Sequence, residues 1–287
     1  LWALGEQAAR SKAVSAAFDT GLDGVLDRLS RDRDPEAVAF CSAFDDFIDT
    51  FGFRGPKEWE MRSRCWELDP ATPLAAIDKM RKADPADSPT ARNARAADAR
   101  SRAIETVRAA LSAQAEALGQ FDAAVRAAAV FFAGRERTKT NCAMLTHEMR
   151  MAMWELGRRM VARVQFNQAS DFALLTVHEW TALVDGALDP RPVLDRRQQE
   201  AAILGGLEPP FIVNGAVPPI PTWKPRTVTA KAVQAGTRLA GLPGCGGVAR
   251  GRVRVIDDPS EPGDMEPGDV LVAAHTDPSW TPLFSAA

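Results

Sequence analysis

From Ser88-Pro89 to about residue 166 the sequence favours helix almost without interruption, and that run limits what the chain can fold into. Ile104, Val107, Leu111, Leu118, Phe121, Val125, Ala128 and Phe132 recur three and four apart, broken only at Gln114. Such spacing places apolar side chains along one face of a helix and predicts a heptad-like seam that packs on another long helix. Gly134 interrupts the run or marks a close contact. A second long helix is expected over residues 135–166, with Cys142, Leu145, Met149, Ala152, Leu156 and Met160 as its inner face. Two helices of this length predict a mainly α fold built on an elongated antiparallel hairpin or bundle.

The preceding residues agree with that class. Residues 1–30 read as a weakly amphipathic helical stretch through Phe18, Leu22, Val25, Leu26 and Leu29. Asp34-Pro35 is a helix start, because Asp accepts from free amides and Pro suits the first helical position. The helix it opens carries Val38, Cys41, Phe44, Ile48 and Phe51 as a stripe, widened by Phe40 and Phe47, and Gly52 suits a left-handed residue at its end. Gly55-Pro56 breaks structure, so residues 53–70 form a loop rich in charged and aromatic side chains. Thr72-Pro73 starts a shorter helix that stops before Asp84-Pro85. Downstream, Thr176-Val177-His178-Glu179 is a capping box, and another helical piece falls near residues 193–204. Residues 208–225 hold too many prolines for helix or central strand and read as an extended connector.

Strand patterns occur only near the end. Residues 248–256 alternate in their second half, with Arg250, Arg252 and Arg254 on one side and Val253 and Val255 on the other; residues 269–274 are a short apolar run. The segment predicts an incomplete β-rich region, too small to bury a core alone. Gly244 to Ala249 fits G-x-G-x-x-A, but a phosphate cradle needs a helix N-terminus after the glycines, and a strand follows. A tight turn is the expected structure there.

Three ordered stretches resemble the start of the mobile phosphohistidine domain of the phosphoenolpyruvate-utilising enzymes: Gly246 to Val253, Pro267 to Ala273, and Thr276 to Phe284. Further upstream, Gly52-Phe53-Arg54-Gly55-Pro56-Lys57-Glu58 resembles a Gly-His-Arg-Gly-Pro-x-Glu motif of phosphoenolpyruvate synthase-like and rifampicin phosphotransferase-like proteins, with Phe53 replacing the histidine. Gly134-Arg135-Glu136-Arg137-Thr138-Lys139 resembles the family's Arg-Glu-x-x-Lys. Residues 156–163 and 171–176 resemble a later helix and turn, and Pro209-Pro210-Phe211 a further element. The resemblance implies a helical acceptor-binding domain over residues 1–207, a proline-rich linker over 208–232, and the N-terminal part of a swivelling α/β domain over 233–287. It implies a multidomain ATP-dependent phosphotransferase. There an ATP-grasp segment with Mg²⁺ would load a histidine absent from this chain, and that histidine would donate to a small-molecule acceptor. No run of alternating strands and helices suggests a pyruvate barrel, which favours a bulky apolar hydroxyl as acceptor. The chain alone is then expected to be inactive and to bind neither ATP nor Mg²⁺.

Charge and composition narrow the alternatives. Lysine and arginine number 35 against 38 acidic residues, a net charge of −3, without the basic excess of a nucleic-acid binder. From Val233 onward seven acidic residues face four arginines, and the rest of the chain balances. Residues 1–20 carry charge throughout, unlike a signal peptide, and the longest apolar run, residues 127–133, is too short for a membrane span. The chain opens on Leu1 and so reads as part of something longer. Cys41, Cys65, Cys142 and Cys245 are scattered, with no metal-ligand spacing among them or the three histidines, which predicts reduced thiols, no metal site and a cytoplasmic protein.

A phosphoryl transition state spreads negative charge over its oxygens, and fixed arginine or lysine donors stabilise it. Arg54, Arg135, Lys139 and Arg150 are the candidate donors, with Glu58 and Glu136 as motif carboxylates beside them. Met149, Met153, Trp154, Trp59 and Trp66 are candidate lining for an apolar acceptor; as Met and Trp at helical spacing they serve equally as core. Two other readings stay open: a non-catalytic helical binding or regulatory module of the same shape, and a coiled-coil scaffold dimerising through residues 104–132.

Overall fold

A computed structural model describes the chain except for residues 211, 227–232, 235, 243, 245, 257–262, 264, 267, 277–279 and 285–287. The protein is mainly α, as expected. Its packing divides into two units, one of Leu1–Met149 with Ala249–Ala287, the other of Arg150–Val248.

The first unit opens with three short helices, α1 (Trp2–Arg10), α2 (Lys12–Asp19) and α3 (Val25–Arg31), where the sequence suggested one weak stretch. The breaks have local causes. Ser11 turns to extended backbone and caps α2 by accepting from the Val14 amide, and Gly21 and Gly24 take positive φ before α3. Helix α4 (Pro35–Phe51) starts as predicted, with the Asp34 carboxylate accepting from the Glu36 amide at 2.8 Å. Its buried stripe is Ala37, Phe40 and Phe44, whereas Val38 and Phe51 of the predicted stripe are exposed. Phe40 meets Phe18 edge-on at 5.8 Å, and α5 (Ala71–Met80) adds Leu74 and Ile77 to the same core. Complete burial of a side chain such as Phe40 or Ile77 is worth about 1.5–3 kcal/mol.

The long helical region departs from expectation. Helix α6 (Pro89–Ala110), capped by Ser88 as predicted, ends at Leu111, and helix α7 then runs unbroken over Ala115–Ala162, through Gly134. The break therefore lies near Gln114, and Gly134 neither interrupts the helix nor meets a neighbour. No residue of α6 is fully buried; of the predicted seam Ile104, Leu111, Leu118, Phe121 and Val125 are half-buried and Val107, Ala128 and Phe132 are exposed, so it is only partly covered. The two helices are tied across their turn by Arg108 donating to Asp122 at 2.8 Å. The inward face of α7 is also rotated from the predicted one. Ala143, His147 and Arg150 are buried, whereas Cys142, Leu145, Met149 and Ala152 are exposed; of the predicted face Met160 is buried and Leu156 half-buried. The apolar pattern misled because α7 turns polar side chains inward to meet a polar loop: His147 Nε2 lies 2.9 Å from a Glu67 carboxylate oxygen.

In the second unit the last turns of α7 are followed by a 3-10 turn (Ala169–Leu174), α8 (Val177–Val184) and α9 (Arg191–Gly205). The predicted capping box forms: the Glu179 amide donates to Thr176 Oγ1 at 3.4 Å, and the Thr176 amide donates to the Glu179 carboxylate at 2.8 Å. Glu179 also receives Arg197 at 2.6 and 2.8 Å, and these bonds, Arg197 first and then the Thr176 amide, hold its carboxyl down at about 2. The proline-rich segment is not simply extended. Strands β1 (Leu207–Glu208) and β2 (Lys224–Pro225) pair antiparallel, and the Arg226 amide donates to the Gly206 carbonyl, so the chain doubles back.

The final segment, assigned to the first unit, carries the two expected strands. β3 (Val253–Val255) and β4 (Val270–Val272) pair in parallel, with Arg254 opposite Leu271. The short helix α10 (Thr281–Phe284) follows. Ile256, Met265, Trp280 and Leu283 form a small core. Arg252 and Arg254 both donate to Asp269, which also accepts from the Glu266 amide; that amide first and then Arg252 hold the Asp269 carboxyl at about 2. The residues resembling the family at 211, 267 and 277–279 lie outside the described residues.

Candidate functional site

The loop after α4 builds the site. Gly52 ends α4 in right-handed, not left-handed, backbone, so conformational freedom is not why glycine stands there. The reason is space: a Cβ would sit 2.5 Å from the Ile48 carbonyl oxygen and 3.0 Å from Glu67 Cβ. At Gly55 a Cβ would sit 2.9 Å from Cys65 Cα. These close approaches let two backbone bonds zip the loop, from the Trp66 amide to the Arg54 carbonyl at 2.8 Å and from the Glu67 amide to the Gly52 carbonyl at 3.1 Å.

Arg54 is fixed from three sides. Nη1 donates to both Glu58 oxygens at 3.1 and 2.9 Å, and Nη2 donates to Thr140 Oγ1 on α7 at 3.1 Å. The guanidinium carbon lies 4.9 Å from the centre of the Phe53 ring, a cation–π arrangement. The Glu58 side chain is 1% exposed and that of Arg54 24%. Phe53, where the motif has histidine, is buried and supports Arg54 from the ring face. The Arg54–Thr140 bond fastens the loop to α7 next to Lys139.

Arg54, Glu136 and Lys139 line one groove of about 720 Å³, within the range of small-molecule sites. Its apolar lining is Phe47, Phe51, Trp66, Met80 and Pro89, together with Leu1, Trp2 and Ala3. Of the predicted residues, Glu58 serves the groove indirectly, by holding Arg54. Arg135 is not in the lining and pairs with Glu136, while Lys139 makes no ion pair among the described residues. Arg150 is fully buried and belongs to the other unit. Among the apolar candidates, Trp66 lines the groove, Trp59 and Met149 are exposed, and Met153 and Trp154 belong to the second unit, where Trp154 packs edge-on against Phe172 at 6.0 Å.

Sequence reasoning missed Phe47 and Phe51 as lining because both sat in the stripe assigned to the core. Their i, i+4 spacing with a charged loop directly after them was the available signal. Among the described residues no cluster of three or more His, Cys, Asp or Glu side chains suits a metal ion, and no helix is long and apolar enough to cross a membrane.

Residues 1–136 match the family described as the rifampicin phosphotransferase fourth domain, a span that includes Arg54, Glu58, Arg135 and Glu136. An uncharacterised protein of Mycobacterium tuberculosis is 30% identical over 262 residues, covering 91% of this chain and 26% of the relative. The prodigiosin synthesizing transferase PigC of Serratia marcescens is 30% identical over 268 residues, 88% of this chain and 28% of that protein. A rifampicin phosphotransferase of a Streptomyces species is 28% identical over 292 residues, 96% of this chain and 31% of that protein. The chain thus spans between a quarter and a third of the length of these relatives.

Proposed function

The chain belongs to the phosphoenolpyruvate-utilising, rifampicin phosphotransferase-like family, and on that premise we propose that its first unit holds the acceptor of an ATP-dependent phosphotransfer. The acceptor, an apolar small molecule with a hydroxyl group, occupies the groove lined by the aromatic rings and by Arg54 and Lys139. One observation carries the reading: a largely apolar groove lined also by a cation held by a buried carboxylate and by a second cation that makes no ion pair among the described residues. ATP and Mg²⁺ would act on an ATP-grasp segment, and a phosphohistidine would carry the phosphoryl group, both in other parts of the protein. In the transfer the acceptor oxygen bonds to phosphorus as the phosphorus–nitrogen bond breaks, and the hydroxyl proton ends on the released imidazole.

The two cations have different work. Arg54, already neutralised by Glu58, orients the site and offers little net charge. Lys139, with no carboxylate partner among the described residues, supplies the charge that phosphoryl oxygens need; a compact, strongly hydrated ammonium suits that role. The test is Lys139→Met in the whole protein. Acceptor phosphorylation falls about 100-fold, the loss typical of removing one transition-state donor, while labelling of the carrier histidine from ATP continues. An undiminished transfer rate would refute the assignment of Lys139, whereas the absence of any transfer by the unsubstituted whole protein would favour a non-catalytic binding module.

A further inference from the structure

The groove wall has a geometry that a general apolar site does not need. Phe47 and Phe51 lie one turn apart on α4, with ring centres 5.4 Å apart and planes 33° from parallel. Phe47 also meets the Trp66 ring at 5.8 Å and 27° and the Phe44 ring at 6.2 Å and 36°. In this cluster Trp66 and Phe44 are buried and Phe47 is half-buried, whereas Phe51 is 46% exposed. Exposing that much of a phenyl ring is unfavourable in water, since its apolar area is left unburied. The cluster therefore leaves a partly uncovered ring, Phe51, lining the groove that Lys139 also lines.

We propose that the groove selects planar, conjugated ligands that stack on Phe51 and place an oxyanion or phosphoryl group toward Lys139. The inference rests on the acceptor-site reading above and narrows it to a substrate class. Offset stacking rewards a flat π-system over a saturated ring of equal size, because ring quadrupoles interact only when both partners have them. Lys139, free of ion pairs among the described residues, gives the polar end its anchor.

Binding of 2-naphthyl phosphate to the 287-residue chain is compared with binding of its fully saturated decahydronaphthyl counterpart, by calorimetry. The planar probe is expected to bind about tenfold more tightly, the preference one to two ring contacts provide. Phe51→Leu keeps apolar bulk and removes the ring; it brings the ratio near one by weakening the planar probe alone. Phe51→Trp keeps the preference. Equal affinity of the two probes, both weakened by Lys139→Met, would overturn the planar selection and leave the acceptor site standing. Failure of both probes to bind would overturn both. The wild-type comparison needs no variant, so a misfolded Phe51 substitution cannot obscure the result.

Discussion

Removing the Arg54 side chain should destabilise the first unit, and the size of the loss separates a strut from a surface ligand. Arg54→Met deletes two hydrogen bonds to Glu58, one to Thr140 and a cation–π contact with Phe53, and leaves a carboxylate that is 1% exposed without its guanidinium. Breaking one side of a buried pair costs about 3–5 kcal/mol. Arg54 is itself partly exposed and Glu58 has another partner, so about 2–3 kcal/mol is expected. For a unit of this size that lowers the thermal midpoint by about 4–12 °C. Glu58→Gln should cost less, since the amide still accepts one bond. The double variant should cost less than the sum of the two, with a coupling of about 1.5 kcal/mol or more, because the two changes remove one shared interaction. The assay is urea unfolding followed by tryptophan fluorescence, Trp66 being adjacent to the loop. Single-variant costs below 0.5 kcal/mol, or strictly additive costs, would show that the pair does not hold the site.

Three contrasts follow from the same geometry. Lys139→Met removes no ion pair among the described residues and should leave the unfolding midpoint within about 0.5 kcal/mol, the usual range for such surface changes; a larger loss would assign Lys139 a structural role. Glu179 has its carboxyl lowered from the ordinary 4.5 to about 2 by Arg197 and the Thr176 amide, so its stabilising contribution is complete above 4.5 and disappears as pH falls toward 2. Carbon-detected NMR should place its midpoint near 2, moving upward in Arg197→Gln; a wild-type midpoint above 4 would contradict the pairing. Val164, a β-branched residue at φ 59 just after α7, should be improved by glycine. Val164→Gly is expected to gain about 1 kcal/mol, the cost of left-handed backbone for such a side chain offset by the greater freedom of unfolded glycine; a lower midpoint would argue against that strain.

Local chemistry was legible at helix ends, since Asp34, Ser88 and Thr176 each cap the helix expected of them. A cap is satisfied by amides two or three residues away, so neighbouring sequence is sufficient to specify it. The arginine–glutamate–lysine motif and the Gly-Pro loop could also be singled out, because few residue types suit charge stabilisation or a forced chain reversal. Which of those charges would be neutralised was not visible. Arg54 meets Thr140 across 86 positions of sequence, and Arg135 closes on Glu136, its own neighbour, while Lys139 makes no ion pair among the described residues.

The long helices mark the boundary most clearly. Periodicity identified helix over most of residues 89–162, though with the break at Gly134 and not at 111–114 where it falls, because side-chain spacing and the lack of internal prolines act within a turn or two. It misjudged which face of α7 lies inward, because burial depends on what approaches the helix. A loop bearing Glu67 approaches it and draws His147 in, while Leu145 and Met149 stay exposed. The sequence by itself determined the helical class, the caps and the stock of charged groups, all set by interactions between near neighbours. Only the tertiary structure decided that Phe47, Phe51 and Trp66 would line one groove together with Lys139, since a groove exists only where distant segments come together and leave space between them.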